Sequence, residues 1–317
     1  GDEAGTAITT GDNNVAVGYA ALDATTTAAD NTAVGYASLG ANITGAANTA
    51  VGSLTLDANT TGSHNTALGY GAMSATTTGS FSTAVGRDAL GAHTTGADNT
   101  AVGYACMQDI TTGTNNVAMG TTALANLTTT AGNTAIGKSA LTSSVTGSYN
   151  TALGYLSLTA CLDGGNNIAV GHNALTANTS GGNNVALGTN ALLANTSATG
   201  NIAVGYNSLD ANTTGASNTS VGYYALSANV TDAHNTAIGN ASMQSSNGTV
   251  GSTAVGSSSL NAATTGDYNV AVGYNSGLVM TSGDRNVAIG ATALDACTTG
   301  QYNVAVGNSA LGSVIGG

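Results

Sequence analysis

Aliphatic and polar residues alternate along this chain in a pattern that repeats every seventeen residues. The marker is the glycine of a block reading NTAVG or NVAVG, which stands at Gly18, Gly35, Gly52 and every seventeenth residue on to Gly307, without insertion or deletion. With this glycine as position 5, position 4 is aliphatic or Met in all eighteen copies, and position 2 is Thr in ten and Val or Ile in eight. Position 9 is Leu or Met except at Gly277, and position 13 exchanges Thr with apolar residues such as Ile43, Val145, Leu162, Val230 and Ile315. Spacing by two at positions 2 and 4, and again at 9, 11 and 13, predicts two short β-strands per repeat with those positions turned inward. Between them lie turn residues. Position 15 is Gly in thirteen copies and position 1 is Asn in all but Ser82 and Ser252, which suits corners needing positive φ.

A unit of seventeen residues buries too little apolar surface to offset the entropy of ordering it, so the copies must stack and share one core. The expected fold is all-β: a single-domain parallel β-solenoid of about eighteen coils over residues 1–317, seventeen residues per coil. At about 4.8 Å per coil the array spans roughly 85 Å. It enters and leaves in mid-repeat, as expected for an uncapped segment of a longer fibre.

Several residues carry a resemblance. NVAVG (14–18), NIAVG (167–171) and NVALG (184–188) resemble the repeated block of YadA-like trimeric autotransporter adhesin heads. The full line NTAxGYxALxANTTGxx is similar to the repeats of bacterial and phage tail-fibre proteins, although adhesin coils are a little shorter. The resemblance covers the whole chain and implies a homotrimer of left-handed parallel β-rolls, located extracellularly on a cell surface or virion fibre. Position 3 bears on this. It lies between two positions read as inward, yet is Ala in all but Ser220: Ala16, Ala33, Ala50, Ala67, Ala84, Ala101, Ala118, Ala135, Ala152, Ala169, Ala186, Ala203, Ala237, Ala254, Ala271, Ala288 and Ala305. Either Ala simply suits a tightly pleated coil, or these residues form the flat stripe along which identical chains pack. The second is the expectation adopted.

Composition narrows the partners. Charged residues are 6%, there are three Lys and Arg in total, and the formal net charge is −12, which argues against nucleic acid or an anionic membrane. No apolar run approaches the ~18 residues that span a bilayer, so no membrane insertion is expected of this segment. Cys106, Cys161 and Cys297 have neither disulfide nor zinc spacing and read as small apolar residues.

Candidate chemistry is sparse. His64, His93, His172 and His234 are scattered among coils and read as exposed, so no metal is expected. Asp267 and Asp284 stack at position 16 and read as an exposed, mutually repelling pair. No cofactor is expected, and no carboxylate pair of the glycosidase type stands out. Eight tyrosines share position 6, namely Tyr19, Tyr36, Tyr70, Tyr104, Tyr155, Tyr206, Tyr223 and Tyr274. They either cover the small Ala/Gly surface or form an attachment surface for a host glycan or protein. Position 14, Thr in twelve copies, lacks a regular partner column at position 12. The expected function is a non-enzymatic structural and adhesive fibre segment. The alternatives are a monomeric ice-binding solenoid and a phage tail spike acting on polysaccharide.

Overall fold

The computed structural model describes residues 1–143 and 146–314; the position-13 residues Val145 and Ile315 lie outside them. The fold is an all-β parallel solenoid with eighteen strands and no helix among the described residues. It divides into two compact units, Gly1–Asp163 and Gly164–Gly317. The first holds β1 (Val15–Val17) to β9 (Thr151–Leu153), and the second β10 (Ile168–Val170) to β18 (Val304–Val306). Within each unit successive strands pair in parallel at an offset of seventeen residues, as Ala33 with Ala50 and Ala186 with Ala203.

Each coil has one strand of three residues rather than two strands. Position 9, expected to be extended, is left-handed, as is position 7: Leu39 has φ 51° and Ala37 φ 53°. That conformation breaks the alternation, so the small residue at position 8 and the Leu at position 9 both turn inward, Ser38 and Leu39 alike being buried. Each buried Leu contributes about 1.5–3 kcal/mol. Position 13 is outward, with Ile43 and Leu162 exposed. Its threonines bridge coils, as where Thr60 Oγ1 donates to Thr77 O at 3.0 Å.

The strand faces the opposite way from the sequence expectation. Positions 2 and 4 point out, and none of their residues is buried. Position 3 points in. The Ala column from Ala33 to Ala305 is buried within its own chain, with Ala16 half-buried, so it is core and not the stripe where chains meet. The exception supports the assignment. Ser220 is also buried, accepts from Ser208 Oγ at 2.7 Å and donates to Ala225 O at 2.8 Å.

Asn at position 1 is conserved in the repeat for its side chain, not its φ. Asn31 Nδ2 donates to Gly45 O in the next coil (2.9 Å), while its Oδ1 accepts the Asn48 N–H (3.0 Å). The motif recurs from coil to coil in both units, and Ser82 Oγ accepts the Asn99 N–H where Asn is missing. Asn42 and Asn59 run a second buried ladder at position 12, with Asn59 Nδ2 donating to Asn42 Oδ1 at 2.8 Å. His93 occupies that second column, buried rather than exposed, its Nδ1 meeting Thr76 Oγ1 at 3.0 Å.

The glycine at position 5 is required twice over. Gly35 has φ 142°, and a Cβ there would lie 2.1 Å from Gly52 O. Gly35→Ala is expected to cost at least ~3 kcal/mol in denaturant unfolding. Gly40→Ala, at ordinary φ and with the nearest atom 3.3 Å from an added Cβ, should change stability by no more than about 1 kcal/mol.

Burial holds the His93 imidazole down to about 4, against 6.5 for an exposed histidine. The unfolded chain therefore takes up the proton first, so stability is intact above pH ~6.5 and falls as pH drops toward ~4. The loss should reach about 3 kcal/mol and be absent in His93→Asn, which restores the ladder residue; unfolding curves between pH 7 and 4 measure it.

Candidate functional site

The strand presents one continuous feature to solvent in each unit. Outward columns 2 and 4 contain only Thr, Val, Ile, Leu and Met. Leu68 is 46% exposed and Met119 49%, and Ile168, Leu187, Ile202, Ile238 and Ile289 are also exposed. Two partly exposed Thr or aliphatic side chains per coil over nine coils give each unit an uncharged surface on the order of the ~800 Å² per partner in a standard protein interface. Exposed apolar stripes of this size mark interaction surfaces.

A tyrosine column flanks the stripe at position 6. Tyr19 and Tyr36 stack at 5.5 Å and 12°, and Tyr206 and Tyr223 at 5.5 Å and 16°. Tyr224 sets its edge against both members of the second pair. Burial in that cluster, then the neighbouring Tyr206 and Tyr223, pushes the Tyr224 phenol up from its ordinary value. At the first pair, the hydrogen bond that the Tyr19 phenol donates to Glu3 raises its pKa. Where tyrosine gives way to a cation the stack continues: Arg87 Cζ lies 5.9 Å from the Tyr70 ring centre and 5.7 Å from that of Tyr104, and its Nε pairs with Asp88 at 3.0 Å. Tyr155, Tyr206 and Tyr274 are exposed like the rest of the column.

The polar groups do not converge. No set of three His, Cys, Asp or Glu side chains suited to a metal ion occurs among the described residues. An open groove of about 390 Å³ lies between Ser74, Asp88, Gly91, Gln108 and Asp109, and Arg87 already holds the first of its two carboxylates. Asp57 and Asp210 have carboxyls raised by burial, and they stand in different units. Asp267 and Asp284 are not a bare repelling pair. Asp267 Oδ1 accepts the Val250 N–H (2.8 Å) and Asp284 Oδ1 the Asp267 N–H (2.9 Å), so both serve the backbone ladder. His64 stacks on Phe81 at 5.0 Å. Cys106, Cys161 and Cys297 are buried, and burial pushes the Cys106 thiol up to about 12. The Asn of the NxT triplet Asn59–Thr61 is buried in the second ladder and inaccessible to glycosylation in the folded chain.

Sequence reasoning located the tyrosine column and missed the stripe beside it. The signal was present, since an outward column that accepts Val, Leu, Ile and Met but never a charge is as restricted as a core column. No helix among the described residues is long and apolar enough to cross a membrane. No family model, curated protein or solved structure matches the chain.

Neighbouring substitutions read the two faces separately. Ala67→Leu forces bulk into the interior and should cost about 1–3 kcal/mol or more in thermal unfolding. Leu68→Lys, one residue on, should leave the circular dichroism spectrum and the midpoint of the single chain nearly unchanged.

Proposed function

We propose that this chain is a non-enzymatic structural and adhesive segment of a homotrimeric fibre displayed outside a cell or on a virion. The observation that carries the reading is the uncharged apolar stripe at positions 2 and 4. Identical chains carry identical stripes, and three of them about one axis bury all three, leaving the tyrosine column at the rim. The resemblance of NVAVG and NIAVG to YadA-like adhesin heads supports the trimer over other closed assemblies. The fibre's work is geometric: coils in fixed register give length and stiffness, and repeated rim tyrosines offer weak, multivalent attachment to proteins or glycans.

A second reading has one observation in its favour. Thr32, Thr49, Thr66, Thr83 and Thr100 form an unbroken outward column beside aliphatic residues at ~4.8 Å spacing, a regular lattice of the kind a monomeric ice-binding solenoid needs. It replaces the position-14 column considered from sequence.

Light scattering separates the two. The unsubstituted chain should give three times the 30.3 kDa of one chain, and Leu68→Lys with Met119→Lys and Leu187→Lys should give a folded single chain. A single-chain mass for the unsubstituted protein overturns the trimer, and thermal hysteresis in that monomeric solution supports ice binding instead.

A further inference from the structure

All three of the chain's Lys and Arg side chains lie over tyrosine rings. Arg87 is sandwiched between Tyr70 and Tyr104, at 5.9 and 5.7 Å from the ring centres, and Arg285 between Tyr268 and Tyr302, at 5.5 and 5.7 Å. Lys138 Nζ lies 6.0 Å from the ring centre of Tyr155. The two arginines share one design: tyrosines one coil before and one coil after, with a planar cation between their faces.

The position-6 column repeats that bracket once with a short residue in the middle, Tyr36–Ser53–Tyr70. The flanking rings are 55% and 52% exposed. Rings two coils apart stand about 10 Å from each other, room for one planar cation within the ~6 Å cation–π range of both. Ser53 carries the short side chain at the place where the Arg87 bracket carries its guanidinium.

We propose that Tyr36, Ser53 and Tyr70 form a docking slot for the guanidinium of one arginine side chain of a partner protein. The chain's own Tyr–Arg–Tyr sandwiches show what such a bracket holds. The net charge of −12 favours a cationic guest, and Asp88 neutralises the one cation already on the far face of Tyr70. The guest comes from a different protein, because Arg87, Lys138 and Arg285 are already seated on their own tyrosines. The inference rests on the attachment half of the proposed function and not on the number of chains, which mass measurement reads separately.

The test follows the ring resonances of Tyr36 and Tyr70 in tyrosine-labelled protein during titration with N-acetyl-arginine amide. Saturable shifts of both rings are expected, at least five-fold weaker with the neutral isostere N-acetyl-citrulline amide. They should vanish in Ser53→Arg, whose own guanidinium fills the slot; in Tyr70→Ala, which removes one wall, the remaining Tyr36 shift should fall at least five-fold. No shift, equal shifts with the citrulline compound, or shifts of Tyr36 that persist in a folded Ser53→Arg variant each overturn the slot.

Discussion

Contact between successive coils at backbone distance is the constraint on which the rest of this structure depends. At position 5 there is no room for a single methyl group, and the carbonyl of the next glycine stands where a Cβ would go. Coils held that closely cannot drift in register, so an insertion in one would misalign every ladder that crosses it. The unvarying period of seventeen follows from this contact. A side chain then meets its counterpart seventeen residues away more closely than it meets most of its own coil, and each column must be compatible with itself.

That rule explains the composition. Asn suits a buried column because one amide both donates to a carbonyl and accepts from an N–H of the following coil. Thr at position 13 and the stacked tyrosines at position 6 are self-compatible in other ways. Like charges set directly opposite one another are destabilising, which accounts for the rarity of Asp, Glu, Lys and Arg. The exceptions are informative. Asp267 and Asp284 persist because each accepts a backbone N–H, and Arg87 and Arg285 because aromatic faces separate them from other cations. Ladders of like groups serve extended surfaces better than sites that need several unlike groups at one point, and the proposed function uses them as surfaces.

The period, the parallel stacking, the strand at positions 2–4 and the buried Leu at position 9 were legible from residue types alone. The direction of the strand was not. Alternation shows that position 3 faces opposite to 2 and 4 without showing which side is the interior. Here Leu39 and its equivalents turn into the coil from a left-handed backbone, and the strand offers only Ala, or Ser220, to the interior. The same left-handed residues abolish the second strand, since spacing by two implies alternation only when the backbone is extended. Asn31 was read through its tolerance of positive φ, whereas its amide was the reason for its place. That Ser, a shorter hydrogen-bonding residue, is its sole replacement was the clue. His93 was misplaced because one imidazole in a column that mixes Asn and Thr with Ile110, Leu127, Cys161 and Met280 looks like surface variation; the column is buried.

The orientation of the strand decides both the core and the proposed interface, and maleimide labelling of single introduced cysteines tests it directly. The native cysteines are buried, so a new thiol in folded protein reports alone. Thr66→Cys and Leu68→Cys, labelled in dilute protein of single-chain mass, should react at close to the rate of an unfolded thiol, with Ala67→Cys protected by at least a hundred-fold. An Ala67→Cys thiol that labels freely while its two neighbours are protected would contradict the account.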